Sequence, residues 1–216
     1  MTEVYIVNSH LLEILTDEAL IGRIQKRLPR LFRIAEIECS RAGKIGMQVG
    51  SVRENIVVSL LIYKFGESNV QADIPITEPE VDVKLFGQPI SIKTITGKGL
   101  SGVKLVWTVD AQNAKAFQKN YQPSSDILFV QIVWGAMGGL FFIPVEAQRN
   151  LLENIGSERY IRLPKQGTNP RGAEITKEAL LSLTQSQETK VIEIDWQKPN
   201  IDYQPYQRWV DYWSEE

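Results

Sequence analysis

The segment that decides the fold is Glu80-Val-Asp-Val-Lys-Leu-Phe-Gly-Gln-Pro-Ile-Ser-Ile-Lys93. Apolar and polar residues alternate in two short runs, at 81–85 and 90–93, and the residues at 86–89 separate the runs. This pattern predicts a β-hairpin. Successive side chains of a strand point to opposite faces, so Asp82 shares a face with Lys84, and Ser91 shares a face with Lys93. We therefore expect a carboxylate and an ammonium group from adjacent strands to converge on one point.

The composition is that of an ordinary folded domain. The chain has 216 residues, of which 43% are hydrophobic and 23% are charged, which suffices for one domain with a full core. Cys39 is the only cysteine, so a disulfide framework and a thiolate metal cage are excluded. The sequence starts Met-Thr-Glu-Val-Tyr and shows no secretion signal, so a cytoplasmic location is expected.

One uncharged stretch, residues 127–145, has the length of a membrane span. Glycines at 135, 138 and 139 and a proline at 144 interrupt it, and β-branched residues and phenylalanine dominate its two halves. Two buried strands joined at the glycine-rich segment explain this composition better than a helix in lipid.

The formal net charge of −2 conceals an asymmetry along the chain. Eight basic residues face two acids between Gly22 and Arg53, whereas from Glu193 onward six acids face two basic residues. A basic segment on a mildly acidic protein indicates an anionic partner at one surface. A solvated helix face is the alternative interpretation.

Hydrophobic periodicity predicts helices before and after a set of strands. The helices are expected at 11–25, 31–39, 51–66, 111–121, 146–155 and 177–183, and the strands at 70–76, 81–86, 90–96, 103–109, 127–145 (as a hairpin) and 191–195. This order is typical of an α/β domain with a central mixed sheet flanked by helices.

Glu54 opens the predicted helix that precedes the hairpin, and two interpretations of it are open. The segment Ser51-Val-Arg-Glu54 matches a capping box, in which Glu54 bonds the Ser51 backbone amide. Alternatively, the helix packs beside the hairpin, and Glu54 joins Asp82 and Lys93 in one site.

Met47 lies in a glycine-punctuated loop, with glycines at 43, 46 and 50. Apolar wedges between base steps deform DNA from the minor groove, and Met47 is a candidate for such a wedge. Arg41 and Lys44 are placed to contact the flanking phosphates. A loop tucked under a helix is the alternative.

Two more loops carry candidate DNA contacts. The segment 96–104 contains Lys98 and Lys104 and no acid. The segment 168–172 contains Asn169 and Arg171, the side-chain types that bind adenine and guanine edges. Either segment could instead be an ordinary surface turn.

The C-terminal segment 196–213 holds three of the five tryptophans. Trp209, Tyr212 and Trp213 have helical spacing and can share one face. We expect them to cover the chain's own core, and the alternative is an arm that packs on a second subunit.

The hairpin with Asp82 and Lys93 resembles the catalytic hairpin of the PD-(D/E)XK nuclease superfamily. Together with Met47 and Glu54, it makes the chain similar to a small type II restriction endonuclease that cleaves CGCG sites. The resemblance implies that Asp82 anchors a divalent metal, that Lys93 assists the attacking water, and that Glu54 completes the metal site from the preceding helix. The Ile92 carbonyl could supply another metal ligand.

The sequence departs from the superfamily pattern at two positions. The superfamily has an acid two residues before the lysine, whereas this chain has Ser91 at that position. The Pro-Asp dipeptide of the superfamily is absent, and Pro79-Glu80 precedes Val81-Asp82 instead. A neutral Ser91 favours one metal ion over two.

The resemblance implies a Mg²⁺-dependent, site-specific endonuclease of double-stranded DNA, on an α/β restriction-endonuclease-like fold. Cleavage of a palindrome implies a homodimer, and a cognate DNA methyltransferase is expected in the same organism. The whole chain, 1–216, is expected to form one endonuclease domain, with a helical DNA-facing part (1–69), a catalytic sheet (70–145), and helices with a DNA loop and the aromatic tail (146–216). Two alternatives are open: a non-catalytic DNA-binding protein, in which Asp82 and Lys93 are a simple ion pair, and a repair or recombination nuclease of the same fold.

Overall fold

A mixed sheet of six strands forms the centre of the computed structural model, with the strand order β11-β8-β7-β5-β4-β3. Neighbouring strands run antiparallel except for β5 and β7, which are parallel. The structure describes residues 9–41, 44–46, 48–75, 78, 80–106, 110–164 and 172–215. The strands of this sheet are β3 (Val70–Gln71), β4 (Val83–Leu85), β5 (Gln88–Thr96), β7 (Asp126–Ile132), β8 (Met137–Ile143) and β11 (Lys190–Asp195). The central mixed sheet predicted from the sequence is confirmed.

Two small sheets accompany the central one. The pair β1 (Ser40–Arg41) and β2 (Lys44–Ile45) is antiparallel, and β6 (Val103–Val106), β9 (Ile161–Arg162) and β10 (Ala173–Ile175) form a three-stranded sheet with β10 in the middle. The strand predicted at 103–109 was therefore assigned to the wrong sheet, because β6 pairs with β10. Both β9 and β10 were missed, since strands of two and three residues carry too few positions for a period to show.

The helices are α1 (Ser9–Thr16), α2 (Glu18–Glu38), α3 (Val49–Phe65), α4 (Ala111–Asn120), α5 (Val145–Ile155), α6 (Ser157–Tyr160), α7 (Lys177–Thr184) and α8 (Gln207–Ser214). The predicted helix break near Pro29 was wrong. The first break falls at Asp17, whose side chain caps α2 by accepting a hydrogen bond from the Leu20 amide, and Pro29 lies inside α2. Pro29 is tolerated there because Leu28 and Phe32 beside it are buried in the core.

Helices cover both faces of the central sheet. On one face, Ile90, Leu128 and Val130 pack against residues of α1, α2 and α3. On the other face, Ile127 and Phe129 pack against residues of the three-stranded sheet and of α5 and α7. Strand β7 is buried along almost its whole length, as expected for a strand covered on both sides. The uncharged stretch 127–145 is thus two core strands, and no helix in the described ranges is long and apolar enough to cross a membrane.

The aromatic tail divides into a buried and an exposed part. Trp196 is fully buried and contacts Phe32, with 5.6 Å between their ring centroids. The residues of α8 are all exposed, and Trp213 retains 90% of its accessible surface. The expectation that the aromatic residues of α8 cover the chain's own core was therefore wrong.

Candidate active site

A tight hairpin positions Asp82 against strand β5. Phe86 and Gly87, with φ values of 49° and 78°, form a two-residue turn with positive φ at both positions, the geometry that suits the twist of two antiparallel strands. The turn is shorter than the predicted 86–89, because Gln88 and Pro89 already belong to β5. Its register pairs Leu85 with Gln88 and Val83 with Ile90. The Asp82 amide continues this ladder by donating to the Ile90 carbonyl at 3.0 Å.

Three donors from consecutive residues of β5 hold the Asp82 carboxylate. Its Oδ2 atom accepts hydrogen bonds from Ser91 Oγ at 3.1 Å, the Ile92 amide at 2.6 Å and Lys93 Nζ at 3.1 Å. Asp82 and Lys93 therefore meet at the point where the alternation of the two strands places them. Among the described residues all the donors contact Oδ2, which leaves Oδ1 free for another ligand.

The backbone carbonyl of Ile92 belongs to the same corner. The Ile92 amide points at Asp82, and in an extended strand the N–H and C=O of one residue point to the same side. Strand β4 begins only at Val83, so β5 extends beyond it here. The Ile92 carbonyl is consequently directed towards the Asp82 side of the cleft.

Glu54 lies in the second turn of α3, and the capping-box interpretation of it was wrong. The helix begins at Val49, and its N-cap residue Gln48 makes no side-chain cap bond. Ser51 is already inside the helix, because the Val52 amide donates to the Gln48 carbonyl at 3.3 Å. The Glu54 side chain is thus not engaged in capping the helix.

The electrostatics of Glu54 place it beside the hairpin. Burial raises the pKa of the Glu54 carboxyl above its usual range, the negative charge of Asp82 raises it further, and Lys93 lowers it. Glu54 is half-buried and lines a cleft of about 580 Å³ together with Asp82 and Lys93. Two carboxylates that repel each other at the wall of an open cleft form a site that a cation would stabilise.

The opposite wall of the cleft comes from the three-stranded sheet. Strand β6 contributes Val103, Lys104 and Leu105, and β10 contributes Glu174. The loop before β6 approaches β10 closely at Gly102, where a Cβ atom would lie 2.7 Å from the Ile175 carbonyl oxygen. A side chain at 102 would force the two strands apart, so glycine there keeps the cleft wall closed.

A buried network anchors the start of α3. Arg53 Nη2 contacts Glu36 Oε1 on α2 at 2.7 Å, and Arg53 Nη1 donates to Thr96 Oγ1 at the end of β5 at 2.9 Å. The Trp134 indole N–H donates to the same Glu36 oxygen at 2.7 Å. The sequence places Arg53 in the basic segment 22–53, which is expected to face DNA. This expectation is wrong for Arg53, because its side chain is buried and has a structural role.

Glu80 is a titratable group beside the site that the sequence reasoning did not select. Burial raises the pKa of its carboxyl to about 7, against the opposing effects of Lys93 and of a hydrogen bond from Tyr121. Glu80 lies two residues before Asp82, in the sequence Pro79-Glu80-Val81-Asp82. Its position at the start of the segment 80–93 could have drawn attention to Glu80. No pattern in the sequence indicates that its side chain is partly buried.

The structure describes two of the side chains that are candidates for DNA contacts. Lys44 is exposed on β2, and Lys98 is exposed in the turn after β5. The Gln131 amide holds this turn by contacting the carbonyls of Gly97 and Lys98, both at 3.3 Å. Met47, Asn169, Arg171 and the side chain of Arg41 lie outside the described residues.

The oxygen atoms of the site suit a hard divalent cation. Within the described ranges no three His, Cys, Asp or Glu side chains form a metal-binding cluster. Glu54 and Asp82 provide two carboxylates, and the Ile92 carbonyl adds a third oxygen. Magnesium prefers a small number of carboxylates together with water and substrate phosphate, and this donor set has that chemistry.

Comparisons with known proteins show the family of the chain. The family model of "Restriction endonuclease ThaI" matches residues 11–215 of the chain. A solved structure described as "Restriction endonuclease in complex with substrate DNA" is 55% identical, with a TM-score of 0.89, and the match covers 96% of this chain and 100% of the other. A comparison with curated proteins found no match. The chain therefore belongs to the ThaI restriction endonuclease family, and it is a type II restriction endonuclease.

Proposed function

We propose that this endonuclease is a homodimer that uses Mg²⁺ to hydrolyse phosphodiester bonds of double-stranded DNA at the palindrome CGCG. The observation that carries the proposal is the convergence on the Asp82 carboxylate. Lys93 Nζ lies 3.1 Å from Asp82 Oδ2, and Glu54 faces the same cleft. A relative that is 55% identical was solved with substrate DNA, which supports duplex DNA as the partner.

The metal would be held by Asp82, Glu54 and the Ile92 carbonyl. The residues present fit Mg²⁺, because Asp82 keeps one carboxylate oxygen free of donors from the described residues and Glu54 is repelled by Asp82. When bound, Mg²⁺ would polarise the scissile phosphate and lower the pKa of coordinated water. Ser91 contributes a neutral hydroxyl in place of an acid, which favours a single metal ion.

Lys93 would act on the attacking water and on the charge of the transition state. Its ammonium group is held by Asp82 and is mostly buried, with 15% of the side chain exposed. A fixed positive charge in a partly desolvated cleft stabilises developing negative charge with little reorganisation. Lys93 would thus orient the attacking water and offset the negative charge that accumulates on the phosphate.

The basic and glycine-rich segments selected from the sequence would bind the duplex. Lys44, Lys98 and Arg41 would contact phosphates, which fix the position of the protein without selecting a sequence. Asn169 and Arg171 would bind base edges in the major groove. Met47 would insert between base steps from the minor groove, and the phosphate contacts beside it would help to offset the cost of unstacking.

The symmetry of the target sets the assembly. A palindrome presents the same cleavage site twice, so two copies related by a two-fold axis would each cut one strand. The whole chain would act as one endonuclease domain in the cytoplasm. A cognate methyltransferase would protect the cell's own CGCG sites.

The proposal is tested by cleavage of a duplex that contains one CGCG site. We expect a single pair of products with Mg²⁺, no cleavage with EDTA, and no cleavage of a matched duplex in which CGCG is replaced by CCGG. Cleavage in EDTA would contradict the role of the metal, and equal cleavage of both duplexes would contradict the target sequence.

A further inference from the structure

Helix α8 presents a row of large apolar side chains that the described chain leaves uncovered. About half of the surface of Trp209 and 90% of that of Trp213 are exposed, and the other members of the row are Tyr206, Val210 and Tyr212. The helix is nevertheless held in place, because Arg208 Nη1 contacts Glu38 Oε1 at 3.2 Å and Tyr203 donates a hydrogen bond to the same residue. Exposed apolar surface of this extent on a fixed element marks an interaction site.

A groove between α2 and α3 is a second uncovered apolar surface. Its volume is about 260 Å³, and Leu31, Ile56, Leu60 and Tyr63 contribute to its lining. Two positively charged side chains, those of Arg23 and Arg27, also line this groove. The Arg23 guanidinium lies 5.1 Å from the centre of the Tyr63 ring. The groove therefore offers apolar contact and positive charge together.

Both surfaces lie along one face of α2. Glu38, which holds α8, follows Leu31 by seven residues, which is close to two helical turns. The two residues therefore project from the same side of α2, about 10 Å apart along its axis. In a two-fold interface, surface i of one copy contacts surface j of the other, and the reverse contact forms at the same time. Because the α8 surface and the α2–α3 groove lie side by side along one face of α2, two copies can make both reciprocal contacts at the same time.

We propose that α8 of one copy docks into the α2–α3 groove of a second copy, and that the partner's α8 docks reciprocally. The inference rests on the homodimer of the proposed function and names the surface that forms it. Charge selects this arrangement over the alternatives. Asp211 and Glu215 of the α8 segment complement Arg23 and Arg27 of the groove, whereas they would repel the phosphates of DNA and the acids of a second α8.

The docking would connect the interface to the active site. Helix α3 contributes Ile56 and Leu60 to the groove, and the same helix carries Glu54 in the cleft, two residues before Ile56 and six before Leu60. The arrangement would therefore fix the two clefts of the dimer relative to each other, as coordinated cleavage of both strands requires.

Sedimentation velocity of the full chain over a range of concentrations tests the proposal. Trp213→Ala should raise the dimer dissociation constant about 30-fold or more, the effect of truncating a central aromatic residue of an interface. Arg27→Glu and Asp211→Arg should each weaken the dimer, and the combined variant should bind at least about tenfold more tightly than either single variant, because the charges are exchanged. Lys26→Glu, an exposed change on α2 outside the groove lining, is the matched control and should leave the dimer unchanged. Thermal melts verify that each variant is folded.

The other outcomes overturn the inference. Unchanged dimerisation in Trp213→Ala and Arg27→Glu would remove the interface while leaving the nuclease activity standing, since cleavage of the CGCG duplex is measured separately. A dimeric Arg27→Glu variant with weakened DNA affinity would assign the groove to DNA. A monomeric Trp213→Ala variant beside a fully dimeric Arg27→Glu variant would place α8 on some other surface of the second copy. A wild-type chain that stays monomeric with DNA bound would remove both the interface and the proposed dimer.

Discussion

Arg53 and Glu36 form a buried ion pair that fastens helix α3 to helix α2, with 2.7 Å between Nη2 and Oε1. Only 5% and 1% of the two side chains are exposed, and Thr96 and Trp134 each add a hydrogen bond to the pair. The residue after Arg53 is Glu54, so this pair anchors the turn of α3 that carries Glu54.

Arg53→Met should lower the free energy of unfolding by about 3–5 kcal/mol, because it leaves a buried carboxylate without its partner. Arg33→Met is the control, since Arg33 contacts the same Glu36 at 3.4 Å from a more exposed position, and it should cost about 1 kcal/mol or less. Urea unfolding of both variants measures the difference. Equal, small losses would show that the buried pair contributes no more than a surface one.

Glu54→Gln should melt like the wild type and lose cleavage. The substitution keeps the size of the side chain and removes the charge that a metal site uses. Because Ser51 is inside the helix, Ser51→Ala should not show the loss of about 1 kcal/mol that follows removal of an N-cap. Thermal melts and cleavage rates are measured together. Full activity of Glu54→Gln would exclude Glu54 from the catalytic set.

Lys93→Ala should slow cleavage by the equivalent of about 3–4 kcal/mol, the typical cost of losing one preorganised electrostatic group. Binding of CGCG duplex in Ca²⁺ should change little, because the proposed role of Lys93 is at the reacting phosphate and not at base edges. Single-turnover rates at saturating enzyme separate the two effects. A variant that cuts at the wild-type rate but binds DNA poorly would make Lys93 a binding residue only.

Asp126→Asn should change how stability depends on pH. Burial raises the pKa of Asp126 to about 6, Glu146 adds to this effect, and the hydrogen bond from the Val145 amide opposes it. The folded state thus binds the proton more tightly than the unfolded state does. The contribution of the neutral acid is present below pH 4 and is lost as the pH rises through 6, a difference of about 3 kcal/mol.

The Asn variant keeps an acceptor for the Val145 amide but carries no charge. It should match the wild type at pH 4 and exceed its stability at pH 8, measured by urea unfolding across the pH range. Asp73→Asn, at an exposed position, is the control and should leave the profile unchanged. A wild-type advantage at pH 8 would show that the Asp126 carboxylate is stabilised when ionised.

The central sheet and the hairpin were predictable because their signals are local. The alternation in the deciding segment defines which side chains share a face, and Asp82 and Lys93 meet for that reason. The run in β7 is apolar on both faces, so its burial followed from composition alone.

The remaining features depend on tertiary contacts. Ser51-Val-Arg-Glu54 has capping-box spacing, but the chain before it is already helical, and no periodicity shows that. Strand β6 joins β10, about seventy residues later in the chain, to build a wall of the cleft. The fold likewise brings Glu80 close to Lys93 and to the hydroxyl of Tyr121, which lies about forty residues later in the chain. Pairings between distant segments leave no local pattern to find.

The proposed active site depends most directly on Asp82. Single-turnover cleavage of a CGCG duplex by Asp82→Ala is the measurement that tests this assignment. The change removes a proposed metal ligand and no proposed base contact. We expect DNA binding within about threefold of the wild type, and a loss of cleavage of about a thousandfold or more, on the scale of losing one group that stabilises the transition state. Ser91→Ala, which removes one hydrogen bond to the same carboxylate oxygen, should retain most of the activity. Near-wild-type cleavage by Asp82→Ala would contradict the assignment of the active site.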